Sequence, residues 1–342
     1  VKMRKIITIL FILLSFSSIS QEYESIIGSE NYQYPNVLVI TNRLADTNIN
    51  QVNPVYRNIV DSVGGIKVFK VEFKEGNFIS YETSLESYFK TSPEELEDWL
   101  LFVHGDGKTF IRAAARGLDI QNYYKVNVIV FAWPSRLPEG GMTAHFNASI
   151  VNSGKSTAHL IQVYDSLKVF RENHPECFSS SNLSAMYHSL GNRVLKLAAD
   201  SINEHFGDDY IFDNQILNAA AVNQEGHKDW VEKINVQKRI FNNSNVFDIN
   251  LNGLRIISPL NYLLGERLFT PLSDSIMYFN FTETIGFRLP PGKSHTYFLS
   301  IADKFNGVKR YYSEIFHGLM PDTTDKSYLL KRKDGFGYNV LK

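Results

Sequence analysis

Tyr187-His188-Ser189-Leu190-Gly191-Asn192-Arg193-Val194 follows the apolar run Leu183 to Met186 and opens the amphipathic stretch Val194-Leu195-Lys196-Leu197-Ala198-Ala199. The order reads as strand, sharp turn, helix, with Ser189 on the turn. Such an elbow lifts a serine Oγ above the strand ends. It also aims a backbone N–H and the positive helix end at charge developing beside it. The usual pattern, G-x-S-x-G, has small residues on both sides of the serine because the turn is strained and the helix packs close. Gly191 fills the second small position, but Tyr187 occupies the first. A phenol there must point away from the helix, or the strand must shift. The plain alternative is a buried strand followed by an ordinary helix capped by Ser189.

Outward from the elbow, short β-branched runs alternate with helical patterns. Asn36 to Ile40, Ile66 to Phe73, Leu100 to Val103 and Val126 to Phe131 read as strands before it, and Gln215 to Ala221 and Lys238 to Phe241 as strands after it. Apolar runs without alternation suit a parallel sheet covered on both faces. Helices are expected over Phe110 to Leu118, Ser156 to Glu172, Val194 to Phe206 and Asp229 to Ile234. Ser92-Pro93-Glu94-Glu95 is a capping box with proline at the first helical position. The alternation predicts an α/β fold with a doubly wound, mostly parallel sheet, with ligands at the carboxyl ends of its strands. A polar insert, about residues 135–155, is a candidate lid or a plain surface loop.

Composition narrows the function classes. Lys2, Arg4 and Lys5, then the apolar Ile6 to Leu14 and the small residues Ser18-Ile19-Ser20, form the pattern of an export signal over residues 1–20. A single domain is expected over residues 21–342, placed in a periplasm or outside the cell. Removing three positive charges takes the net charge from −1 to −1 − 3 = −4. That leaves no basic field for nucleic acid or anionic lipid. No later stretch is long and apolar enough to span a membrane. Cys177 is the sole cysteine, so no internal disulfide forms and stability must come from a core. At 44% hydrophobic residues, about 320 residues suffice to build one.

Four further segments fit the chemistry of an activated serine. His104-Gly105-Asp106-Gly107 follows a predicted strand and offers backbone N–H groups to an oxyanion, with Asp106 N–H beside Leu190 N–H as the expected donors. A glycine-rich turn with a structural His104 is the plain reading of the same residues. Trp133-Pro134-Ser135 ends the next strand, and Trp133 is expected near the pocket and in the core. Gln215 to Asn223 is the strand after the elbow helix. Lys293-Ser294-His295-Thr296-Tyr297 comes late, where serine–acid–histidine order puts a general base. His145, His159 and His227 have no metal-ligand spacing, and no H-E-x-x-H pair or phosphate-binding glycine loop is present. Lys331-Arg332-Lys333-Asp334 reads as a solvated charge run.

Taken together, these motifs resemble those of bacterial α/β hydrolases of unknown function. That family shares a strand ending in Thr-Asn-Arg (here Thr41-Asn42-Arg43), a His-Gly turn (His104-Gly105) and a Trp-Pro-Ser strand end (Trp133-Pro134-Ser135). It also shares a His-Ser-x-Gly-Asn-Arg elbow (His188 to Arg193) and a late His-x-Tyr (His295-Thr296-Tyr297). The resemblance runs from about Val37 to Phe298. It implies an α/β-hydrolase fold, Ser189 as nucleophile, His295 as base, a small-molecule acyl substrate and no cofactor. The family's acid follows the strand that here reads Lys238 to Asn243. The aligned position is Asn245, which carries no charge, and Asp248 lies three residues on. Asn245, Ala221 with Asn223, and Tyr187 are departures near one pocket. Two readings therefore stand: a secreted esterase-like serine hydrolase using Ser189, His295 and Asp248, or a catalytically degenerate relative that keeps the fold for binding.

Overall fold

The computed structural model describes residues 32–45, 56–90, 96–136, 141–175, 180–257, 261–290 and 292–342. The export-signal pattern, the capping box at Ser92, Pro138 to Gly140 and Cys177 lie outside them. Thirteen strands are present among the described residues: β1 Asn36–Thr41, β2 Arg43–Ala45, β3 Tyr56–Val60, β4 Lys67–Lys74, β5 Asn77–Glu82, β6 Trp99–Val103, β7 Asn127–Phe131, β8 Leu183–His188, β9 Phe212–Asn218, β10 Gln237–Ser244, β11 Ile276–Asn280, β12 Leu329–Lys331 and β13 Tyr338–Val340. The helices are α1 Leu85–Lys90, α2 Phe110–Tyr124, α3 Met142–Lys155, α4 Thr157–Asn173, α5 Gly191–Phe206, α6 His227–Val231, α7 Ile249–Ile257, α8 Gly292–His295 and α9 Asn306–Phe316.

Eleven strands form one sheet in the order β12-β13-β11-β10-β9-β8-β6-β7-β1-β4-β5. From β1 through β13 neighbouring strands run parallel. The middle strands β6 to β9 are buried at every position; β6 and β7 read as nearly unbroken apolar runs for that reason, whereas β9 also buries Asp213, Asn214, Gln215 and Asn218. β4 departs from the expected parallel series. It pairs antiparallel with β1 and with β5. Its sequence, Lys-Val-Phe-Lys-Val-Glu-Phe-Lys, places charge among the apolar residues, as a strand with one partly solvated face requires. β12 and β13 form an antiparallel hairpin at the opposite edge, and the charge run Lys331 to Asp334 leads from the end of β12 into its turn.

Helices cover both faces. α2 packs on β1 and β7 and touches α9, while α5 packs on β8 and against α4. Alternation along β8 fixes which side chain meets which layer. Ser184 Oγ bonds the Ile315 carbonyl of α9 at 3.1 Å, whereas the Tyr187 hydroxyl meets that of Tyr164 on α4. Two differences from expectation bear on the site. β9 ends at Asn218 because Ala219 turns into left-handed backbone, φ 45°. The insert expected as a polar loop or lid contains a helix, α3, whose Phe146 and Ile150 at i,i+4 pack against the core.

From β6 the chain passes to β7, on the β1 side of it, and then crosses to β8 on the other side of β6. The crevice between the carboxyl ends of β6 and β8 is therefore the topological switch point, where open α/β sheets bind ligands.

Candidate active site at the sheet switch point

Ser189 leaves β8 with φ 53°, a left-handed backbone that costs a serine on the order of 1–3 kcal/mol. The surroundings hold it. Ser189 N–H donates to Asn218 O at 3.0 Å, and Ser189 O accepts from Asn192 N–H and Ala221 N–H, both at 3.1 Å. Buried Asn192 clamps the elbow through Nδ2, which bonds Tyr187 O at 2.7 Å and Ser189 O at 3.1 Å. Gly191 opens α5 where a Cβ would lie 2.6 Å from Val103 O and 2.9 Å from His104 O. Both neighbours are backbone, so only glycine lets the helix start this close to β6. Tyr187 needs no shift of the strand, because its ring lies on the α4 face and stays clear of the cavity.

The turn after β6 touches the elbow. A Cβ at Gly105 would stand 2.7 Å from Ser189 Cβ. His104 Nδ1–H donates to Gly105 O at 2.8 Å, which turns the Asp106 N–H the other way along the same peptide. Among the described residues neither the Leu190 nor the Asp106 N–H is given to a protein acceptor. His104, read as a structural residue of a glycine-rich turn, and Trp133, expected near the pocket and in the core, are both fully buried and support the turn from behind without lining the cavity. Trp133 Nε1–H bonds His104 O at 2.8 Å and its ring stacks on the imidazole. Burial, with Arg43 nearby, pulls the His104 pKa down to about 3, so the ring stays neutral. Ser135 accepts Gly107 N–H on its carbonyl and Lys108 N–H on its hydroxyl. Arg43 then ties the strand ends together, through Nε to Ala132 O and Nη2 to Trp133 O and Lys108 O. The Thr-Asn-Arg and Trp-Pro-Ser motifs are thus scaffolding for this turn.

His295 ends α8. Its Nδ1 and Asp248 Oδ2 lie 2.7 Å apart, both buried. Asp248 Oδ1 meanwhile accepts the N–H groups of Asn250 and Leu251, capping the start of α7. Asn245 does something else. Its Nδ2 donates to Ser294 O at 3.0 Å and Gly286 O at 3.3 Å, pinning the segment that carries His295. An aspartate at 245 would face two carbonyl oxygens, so the carboxylate belongs at 248 in this loop. His188 lies beside His295, ring centroids 4.6 Å apart. Burial first, then the charges of His295, Arg116 and Lys108, hold its pKa well below the usual histidine value.

Ser189, Leu190, Gly105, Asp106, Ala221 and His295 share one cavity of about 100 Å³. Among the described residues no hydrogen bond joins Ser189 Oγ to His295 Nε2. The α3 helix reaches this cavity through Phe146, and Asp106 binds α3 through Ser149 Oγ at 2.5 Å and His145 Nε2 at 3.1 Å. Arg116 also lines the cavity. The sequence motifs do not single it out, although a charged residue between Ala113-Ala114-Ala115 and Gly117-Leu118 is a visible signal. The described residues contain no group of three His, Cys, Asp or Glu able to hold a metal ion, and no helix long and apolar enough to cross a membrane.

No protein-family model matches the chain, and no curated protein matches its sequence.

Proposed function

We propose that this chain is a serine hydrolase of the α/β-hydrolase fold that cleaves a small acyl ester. The observation that carries the reading is the 2.7 Å contact between Asp248 and His295 in a cavity that also holds Ser189 on its left-handed turn. Ser189 Oγ attacks the ester carbonyl as His295 Nε2 takes its proton. Asp248 keeps the other imidazole proton on Nδ1 and stabilises the imidazolium. The Leu190 and Asp106 N–H groups, with the N-terminus of the 16-residue α5, receive the charge on the tetrahedral oxygen. The imidazolium returns the proton to the leaving alkoxide. Water then repeats the sequence on the acyl-enzyme with His295 as base. A cavity of about 100 Å³ favours short acyl groups over peptides.

Two departures that favoured a degenerate binder are compatible with catalysis, because Asn245 clamps the His295 segment and Tyr187 packs in the opposite layer. The test is labelling of the purified protein with a fluorophosphonate probe, beside Ser189→Ala. Labelling confined to the wild type is the expected outcome. A folded wild type that stays unlabelled refutes the reading.

A further inference from the structure

Arg116 sits on the second turn of α2, only 7% exposed, and lines the Ser189 cavity. Its Nε and Nη1 are sealed from solvent with no acceptor among the described residues. Acids of the same turn and the same helix are engaged elsewhere. Asp106 binds Ser149 and His145, and Asp119, one turn along α2, accepts from the Tyr32 hydroxyl at 2.8 Å. A guanidinium with two nitrogens sealed from water and unpartnered is a large expense for a fold, because their lost hydration is not replaced. Lys108 lines the same cavity and adds to the positive field. The depressed basicity of His188 registers both cations.

We infer that Arg116 is a specificity residue that binds a carboxylate carried by the substrate, so that the preferred esters are half-esters of short dicarboxylic acids or their close analogues. This rests on the serine-hydrolase reading for the reaction, but the anion site stands on its own geometry. Three observations favour a carboxylate. The guanidinium is planar and matches a carboxylate in two parallel hydrogen bonds. The cavity is small enough that a short acyl chain attached at Ser189 reaches the wall bearing Arg116. Among the described residues, the one carboxylate lining the cavity, that of Asp106, is already taken up by α3.

The experiment compares a nitrophenyl half-ester of glutaric acid with the uncharged nitrophenyl ester of equal chain length, in wild type, Arg116→Gln and Arg116→Lys. A charged hydrogen-bonded pair of this kind is worth about tenfold or more in kcat/KM. The wild type should favour the half-ester by that factor, mostly through KM. Arg116→Gln should bring the ratio of the two substrates close to one, and Arg116→Lys should restore part of it. An equal ratio in wild type and Arg116→Gln, or a wild-type preference for the neutral ester, overturns the assignment. Binding separates this from failure of the reaction itself. Glutarate should raise the Tm of Ser189→Ala and leave the Tm of Ser189→Ala/Arg116→Gln unmoved. If the protein hydrolyses neither ester and takes no fluorophosphonate, the hydrolase reading falls while a glutarate shift still supports the anion site. No shift, or a shift with inorganic phosphate but not glutarate, overturns the carboxylate assignment.

Discussion

At the scale of single residues, Asp248 has two duties that substitutions can separate. One carboxylate oxygen faces His295 and the other caps α7. Asp248→Asn keeps an oxygen for the cap but presents His295 with the wrong donor pattern. In serine proteases the equivalent change costs about 10⁴-fold in kcat. The same loss is expected here with Tm nearly unchanged. Asp248→Ala should show a similar kinetic loss and, in addition, about 0.5–2 kcal/mol less stability from the missing cap. Parallel kinetic and thermal measurements check both, and near wild-type turnover in Asp248→Asn would remove Asp248 from the mechanism. Gly191→Ala meets two carbonyls that belong to a central strand and its exit. It should cost about 1–3 kcal/mol and weaken probe labelling at Ser189. The positions of Ser189, Gly191 and His295 were legible because turn chemistry and chain order constrain them. The choice between Asn245 and Asp248 was not, because it depends on which side chain meets the carbonyls of Ser294 and Gly286 across a gap of about 40 residues or more.

At the scale of elements, the end of the sheet away from the site is held by an ion pair. Asp98, just before β6, binds His317 Nδ1 at 2.7 Å, and His317 Nε2 donates to Tyr124 O at the end of α2. Asn182, at the start of β8, bonds the same carboxylate. Both imidazole nitrogens donate, so the ring is held as the cation. The hydrogen bond to Asp98 raises its pKa above the ordinary 6.5 despite burial. Burial pushes the Asp98 carboxyl up, yet the bonds from His317 and Asn182 outweigh it and leave it below 3.8. A raised histidine contributes stability that is full below about 6.5 and lost as pH climbs through its folded pKa; a lowered aspartate contributes above about 3.8 and loses it on acidification. The window of full effect is about pH 4 to 6.5. The Tm deficit of His317→Gln should therefore be larger at about pH 5.5 than at about pH 8.5. Equal deficits would discard the linkage. Nothing in the sequence advertised this clamp, since its members lie at positions 98, 182 and 317. The central strands, by contrast, announced themselves through burial on both faces, while β12 and β13 are too short, at three residues each, to carry a pattern.

At the scale of the molecule, one cysteine means that the folded chain relies on packing. Its Tm should be the same in reducing and non-reducing buffer, measured by calorimetry; a fall of several degrees on reduction would reveal a disulfide between chains. The α/β class was readable from alternation alone. The antiparallel flank of β4 and β5 was not, because a strand's direction depends on its partner.

Asp106 belongs to two parts of the protein at once. Its carboxylate is moored to α3, and its amide sits beside the elbow. Under the proposed mechanism, swinging α3 outward would pull on the same residue whose N–H receives the oxyanion. If the proposed chemistry holds, the α3 wall of the cavity and the chemistry share one joint, and the helix would work as a gauge. A guest that fits beside it would find the reaction site assembled; one too bulky to fit would dismantle that site by entering. Selection by length would then require no contact with the far end of the substrate.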